Sequence, residues 1–147
     1  MIRPVSYSDI LDAPNADELL SEYAAECGNS KLGKPTPQRD LYALLEKSGG
    51  FQAFGVFDGD KLIGFACVLM YVLPHYGVKI AATESIFVSK EYSGVTSGLL
   101  IVEIQDYARK NGCKDFMYSA PVGSRFDHRL SESKRAHHIN NHYLVEL

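Results

Sequence analysis

Residues 81–113, AATESIFVSKEYSGVTSGLLIVEIQDYARKNGC, constrain the fold more tightly than any other stretch. The segment opens as a strand. Residues 82–88 are rich in β-formers, with Ile86 and Val88 on one face and Phe87 on the other. A small, flexible turn follows: Ser93, Gly94, Val95, Thr96, Ser97 and Gly98. From Leu99 the period becomes helical, with Leu100, Ile104, Tyr107 and Ala108 on one stripe. Arg109 and Lys110 suit the negative end of the helix dipole, and Gly112 is placed to stop the helix. A strand that runs through small residues into a helix start offers free N–H groups to an anion, and also serves often as plain punctuation.

The flanking chain fixes the architecture around this unit. Residues 1–6 read as a first strand, and residues 7–11 turn toward helix. Residues 16–27 form a helix with Leu19, Leu20, Tyr23, Ala24 and Cys27 as its apolar positions, and residues 38–47 form another behind Pro37. The period then changes to two. Residues 51–57, a turn at Asp58-Gly59-Asp60, residues 61–72 and residues 78–88 make a three-strand meander, with the middle strand buried on both faces. Residues 115–120 read as a strand, 125–135 as a helix and 142–147 as a closing strand. The strands on either side of the central helix should be parallel, joined by a right-handed crossover. The expected fold is a mixed α/β sheet with helices on both faces, in one domain spanning residues 1–147.

Composition narrows the function. A net charge of −3 gives no global basic surface, so nucleic acid is not an expected partner. No apolar run approaches the roughly 20 residues of a membrane span, and no apolar stretch after Arg3 suggests a signal peptide. Cys27, Cys67 and Cys113 lie in apolar contexts and are expected as buried thiols in a reducing cytoplasm. His128, His137, His138 and His142 match no common zinc spacing, so no metal is expected. Ser131-Glu132-Ser133-Lys134 spells S-x-x-K without its companion motifs.

The element order, with the turn where it stands, resembles the GNAT superfamily of acyl-CoA N-acyltransferases. Phe87-Val88-Ser89-Lys90-Glu91-Tyr92 and the turn behind it are similar to that family's V-x-P-x-Y-[RQ]-x-x-G-x-[GA] segment, which wraps the pyrophosphate of coenzyme A. Gly98 matches outright. Ser93 stands in place of Arg or Gln, Thr96 in place of the middle Gly, and Lys90 in place of the common Pro. Turns altered in this way also resemble those of small bacteriophage-type members, which would place such a protein in a host cytoplasm.

The resemblance implies a GNAT-like central sheet of about six to seven strands. It implies acetyl-CoA as co-substrate and a primary amine as acceptor, either a small molecule or a protein lysine. Homodimers are common in such proteins. The backbone of Ile86, Phe87 and Val88 would face the pantetheine arm and the acyl carbonyl, and Ser93 to Gly98 would hold the pyrophosphate. Glu84, the only carboxylate on its strand, is the candidate general base, in an otherwise apolar segment whose burial would raise its pKa; it also suits an exposed, solvent-facing strand position. Tyr118 and His128 are the candidate acids for the leaving thiolate; Tyr118 also suits a half-buried strand aromatic. His75 and Tyr76 are placed to line the acceptor side. Arg125, Arg129, Lys134 and Arg135 form a basic patch: a solvated helix face, a site for an acidic partner, or a partner for the coenzyme's 3′-phosphate. The altered turn also implies an alternative, a catalytically inactive GNAT-fold binding or structural protein.

Overall fold

The computed structural model describes residues 1–147. Its elements are β1 (Ile2–Val5), α1 (Tyr7–Leu11), α2 (Ala16–Cys27), α3 (Arg39–Lys47), β2 (Phe51–Asp58), β3 (Lys61–Leu73), β4 (Val78–Val88), α4 (Val95–Lys110), β5 (Asp115–Met117) and α5 (Arg125–Ser131), with a 3-10 turn at Lys90–Tyr92. Local chemistry sets several boundaries. Ser6 caps α1: its hydroxyl accepts from Asp9 N at 3.1 Å, and Asp9 accepts from Ser6 N at 2.9 Å in return. Ser124 caps α5 by accepting from Asp127 N at 3.2 Å, while the Asp127 carboxylate accepts from Gly123 N at 2.7 Å.

The sheet runs in the order β1-β2-β3-β4-β5. The first four strands pair antiparallel, and β4 pairs with β5 in parallel, as the crossover through α4 requires. Two cores lie on opposite faces. One packs Phe54, Val56, Ala66 and Val68 of the sheet against Leu100, Ile104 and Ala108 of α4. The other packs Phe51, Phe65, Cys67 and Phe87 against Tyr7, Ile10 and Leu19 of α1 and α2. Strand β3 feeds both and is buried on both faces.

Phe54 is fully buried and meets the ring of Tyr107 edge-on at 5.2 Å between centroids. Phe54→Ala is therefore expected to cost about 3–5 kcal/mol of folding stability. Chemical denaturation reads this directly, and a loss below about 1 kcal/mol would show that this layer does not hold the α4 face.

Three expectations need correction. The sheet has five strands, not six or seven, because residues 142–147 form no strand. Helix α4 begins at Val95 rather than Leu99, so most of the expected turn is helical: Gly94, at φ +89°, makes the whole reversal. The thiols also differ. Only Cys67 is fully buried; Cys27 and Cys113 are partly exposed, and all three are free.

Candidate active site

Strand β4 has two partners along only part of its length. Its ladder with β5 covers Ile80, Ala81 and Ala82 and stops there. One side-chain bond continues the contact, from Ser119 N to Thr83 Oγ1 at 3.1 Å. Beyond it the strands part, while β4 stays paired with β3 as far as Val88. The result is a wedge between β4 and the chain after β5.

A bulge decides what lines this wedge. Cys67 pairs with Ser85 and Val68 with Thr83, so Glu84 is the extra residue. The insertion reverses the alternation. Thr83 shares a face with Val68 and the α4 core, whereas Ser85 shares a face with Cys67 and the α1–α3 core. Glu84 is exposed on that second side, and its carboxylate accepts from Ser85 Oγ at 2.8 Å. The strand's apolar context thus does not bury it, because the bulge lifts it out of the pleat. Its charge reaches the neighbouring tyrosines. Burial first, and Glu84 second, push the Tyr23 and Tyr42 hydroxyls upward. Tyr7 rises to about 12, chiefly through burial.

The bulge also sets the hydrogen-bonding phase of the strand's end. Ser89 N donates to Ile63 O at 2.9 Å, so by alternation Phe87 bonds toward β3 while Ile86 and Val88 turn their main-chain groups into the wedge. Phe87 contributes its ring instead, packed in the second core.

Residues after β4 continue the wedge. Glu22 of α2 accepts from Lys90 N at 2.8 Å and from Ser89 Oγ at 3.2 Å, which fixes the 3-10 turn. Ser93 bonds back to Lys90 O through its hydroxyl at 3.0 Å. In the first turn of α4, the N–H groups of Val95, Thr96 and Ser97 have no protein acceptor, whereas Gly98 N already donates to Gly94 O. A Cβ on Gly98 would lie 3.4 Å from Arg129 Nη2 and meet no backbone, so α5 covers this turn through a movable side chain.

Arg125 is exposed but engaged. Its guanidinium forks onto Glu26 of α2, with Nε–Oε1 at 2.8 Å and Nη2–Oε2 at 2.7 Å, and also donates to Val88 O at 3.2 Å. It lies 5.9 Å from the Phe87 ring centroid. The pair reaches across the open end of the wedge. Sequence reasoning missed Glu26 and Glu22, since partners 99 and 68 residues apart leave no local signal.

Tyr118 stands one residue past the β5 ladder, level with Thr83, where the wedge begins. Its ring stacks on Phe116 at 4.6 Å and meets Phe126 edge-on. Gln105 Nε2 donates to its oxygen at 2.7 Å, leaving the phenolic proton without a protein acceptor. Burial pushes its pKa up to about 12. Glu84 and Tyr118 thus flank the apex of the wedge from opposite faces of the sheet. His128 is exposed on α5, 3.4 Å from Glu132. His75 and Tyr76 sit together at the exposed β3–β4 tip. No group of side chains is arranged to hold a metal ion.

No family model matches the chain, and no curated protein sequence matches it. Solved structures do. A ribosomal-protein-alanine N-acetyltransferase from Brucella melitensis biovar Abortus superposes with a TM-score of 0.70 at 20% identity, covering 100% of this chain and 99% of that one. An aminoglycoside acetyltransferase from an uncultured soil metagenomic sample gives 0.73 at 15% identity, covering 100% and 95%. A GNAT family acetyltransferase from Staphylococcus aureus gives 0.64 at 13% identity, covering 100% and 97%. The architecture is therefore an acetyltransferase fold. More narrowly, the chain carries the GNAT fold along its whole length.

Proposed function

We propose that the chain is an N-acetyltransferase that moves an acetyl group from acetyl-CoA to a primary amine. The observation that carries this reading is the wedge. It joins main-chain groups of Ile86 and the N–H of Val88, whose carbonyl already accepts from Arg125, to three unpaired N–H groups at the start of α4. A thioester coenzyme needs both, the first for its amide-bearing arm and the second for its pyrophosphate. The loss of Arg or Gln at position 93 removes one side-chain donor, but backbone donors and the Thr96 and Ser97 hydroxyls remain.

The chemistry then follows the wedge's two sides. An ammonium acceptor, with a pKa near about 10.4, must lose a proton before its nitrogen can attack. Glu84 accepts that proton, directly or through water, from the α1–α3 side. The amine nitrogen bonds to the thioester carbon, and main-chain N–H groups of β4 stabilise the oxyanion. The carbon–sulfur bond breaks, Tyr118 protonates the departing thiolate, and the proton that the new amide nitrogen sheds restores the Tyr118 hydroxyl. The acceptor is a small-molecule amine or a protein lysine. The aminoglycoside acetyltransferase with the same fold supports the small-molecule side.

Thiol release from acetyl-CoA in the presence of a panel of amines tests the reading. Amine-dependent release supports it, whereas a folded protein that binds the coenzyme but transfers to no amine supports the inactive-module alternative. Tyr118→Phe removes the hydroxyl, and with it the acceptor of Gln105 Nε2, so it should lower kcat about 10²-fold and leave the coenzyme KM unchanged. An unchanged kcat would remove Tyr118 from the mechanism and leave water as the acid.

A further inference from the structure

One group of the proposed coenzyme site is already taken. Val88 lies opposite Gly64 in the phase of the β3–β4 ladder that makes no bond to β3, so its carbonyl faces the wedge. That carbonyl accepts from Arg125 Nη2 at 3.2 Å. Glu26 anchors the same guanidinium from α2, with Nε–Oε1 at 2.8 Å and Nη2–Oε2 at 2.7 Å. Nη2 therefore gives one proton to each acceptor, and its bond to Val88 O is the longer of the two.

An arginine beside an anion site invites the reading that it holds phosphate. Its surroundings argue against that. Glu26 engages it with both carboxylate oxygens, a fork that offsets its charge. Glu22, one turn earlier on α2, adds a second carboxylate at Ser89 and Lys90, just past Val88. Arg129, one turn further along α5, is placed differently: a Cβ on Gly98 would come within 3.4 Å of its Nη2, at the start of α4.

The hold on Val88 O is releasable. Helix α5 has seven residues, none of them fully buried. The Arg125 side chain is 38% exposed and that of Glu26 26%, so the fork can open into water without stranding a buried charge. Release breaks one hydrogen bond to Val88 O, and an amide N–H of the coenzyme's arm can replace it.

We infer that Arg125, latched by Glu26, closes the wedge by occupying Val88 O, and that the amide-bearing arm of the coenzyme binds by displacing it. This latch rests on the coenzyme site of the proposed function. A latch shut in about nine molecules of ten weakens the apparent affinity about tenfold.

Calorimetric titration compares acetyl-CoA with 3′,5′-ADP, the end of the coenzyme that lacks the arm. It is run on the wild-type chain, Arg125→Met, Glu26→Gln and the double variant, with circular dichroism to check folding. Met keeps the apolar stem and removes the donors; Gln keeps the shape of Glu26 and weakens the fork. The expected result is about tenfold tighter acetyl-CoA binding in Arg125→Met, a smaller gain in Glu26→Gln and no further gain in the double variant. Affinity for 3′,5′-ADP should not change. Weaker or equal acetyl-CoA binding in folded Arg125→Met overturns the latch and leaves the coenzyme site standing. An equal gain for 3′,5′-ADP overturns it too, since that fragment has no arm to compete with Arg125. Should Arg125→Met not fold, Glu26→Gln decides alone, and no gain there overturns the latch. Failure of the wild-type chain and every variant to take acetyl-CoA removes the coenzyme site, and the latch with it.

Discussion

Glu84→Gln is expected to lower the rate of acetylation about 10²- to 10⁴-fold at neutral pH. The change keeps the shape of the side chain and removes its ability to take a proton. Glu84 is exposed and its one hydrogen-bond partner is Ser85 Oγ, so stability should change little. Coenzyme affinity should stay the same, because Ile86 and Val88 offer main-chain groups that this substitution does not touch. The pH profile separates a base from a structural residue. As pH rises toward the amine's own pKa, more acceptor arrives already neutral, and the deficit of the variant should shrink. A constant deficit across pH, or none at all, would remove Glu84 from proton transfer.

Gly98→Trp is expected to weaken acetyl-CoA binding about a hundredfold, the loss of roughly two hydrogen bonds to a charged group. The turn around Gly98 has no backbone within contact of an added Cβ, and only Arg129 Nη2 approaches, at 3.4 Å. An indole there would fill the space in front of the unpaired N–H groups of Val95, Thr96 and Ser97. Gly98→Ala serves as the control. It adds a single methyl group inside a helix, where Ala is favoured over Gly, so it should keep binding and gain a little stability. Equal affinity in folded Gly98→Trp would place the pyrophosphate elsewhere.

Much of the frame was legible in the chain. The helix at Ala16–Cys27 and the strand at Val78–Val88 follow from periodicity and their flanking Gly and Pro signals, and the structure has both with those bounds. The parallel β4–β5 pair follows from the crossover rule. The start of α4 at Val95 is hidden in the sequence because Val95, Thr96, Ser97 and Gly98 are poor helix formers. Gly94 at positive φ, not their flexibility, makes the turn.

The site was harder to read. TESIFV looks like unbroken alternation, which would put Thr83, Ser85 and Phe87 on one face. The bulge at Glu84 sends Thr83 to the other face and exposes the carboxylate. A bulge is set by pairing with β3, which local sequence does not record. Arg125 of the basic patch is a similar case. Arg125 looks solvated on α5 until folding brings Glu26 and Val88 O beside it. The closing strand has the pattern of one, but a strand needs an edge as well as a pattern.

Calorimetric titration of the purified chain with acetyl-CoA and with free CoA tests the central claim, that the wedge and the start of α4 form a working coenzyme site. Saturable binding of both ligands is expected, in the micromolar range, strongly weakened in Gly98→Trp and kept in Gly98→Ala. A folded chain that shows no heat of binding at millimolar ligand would contradict it, and would leave the fold serving a role other than acyl transfer.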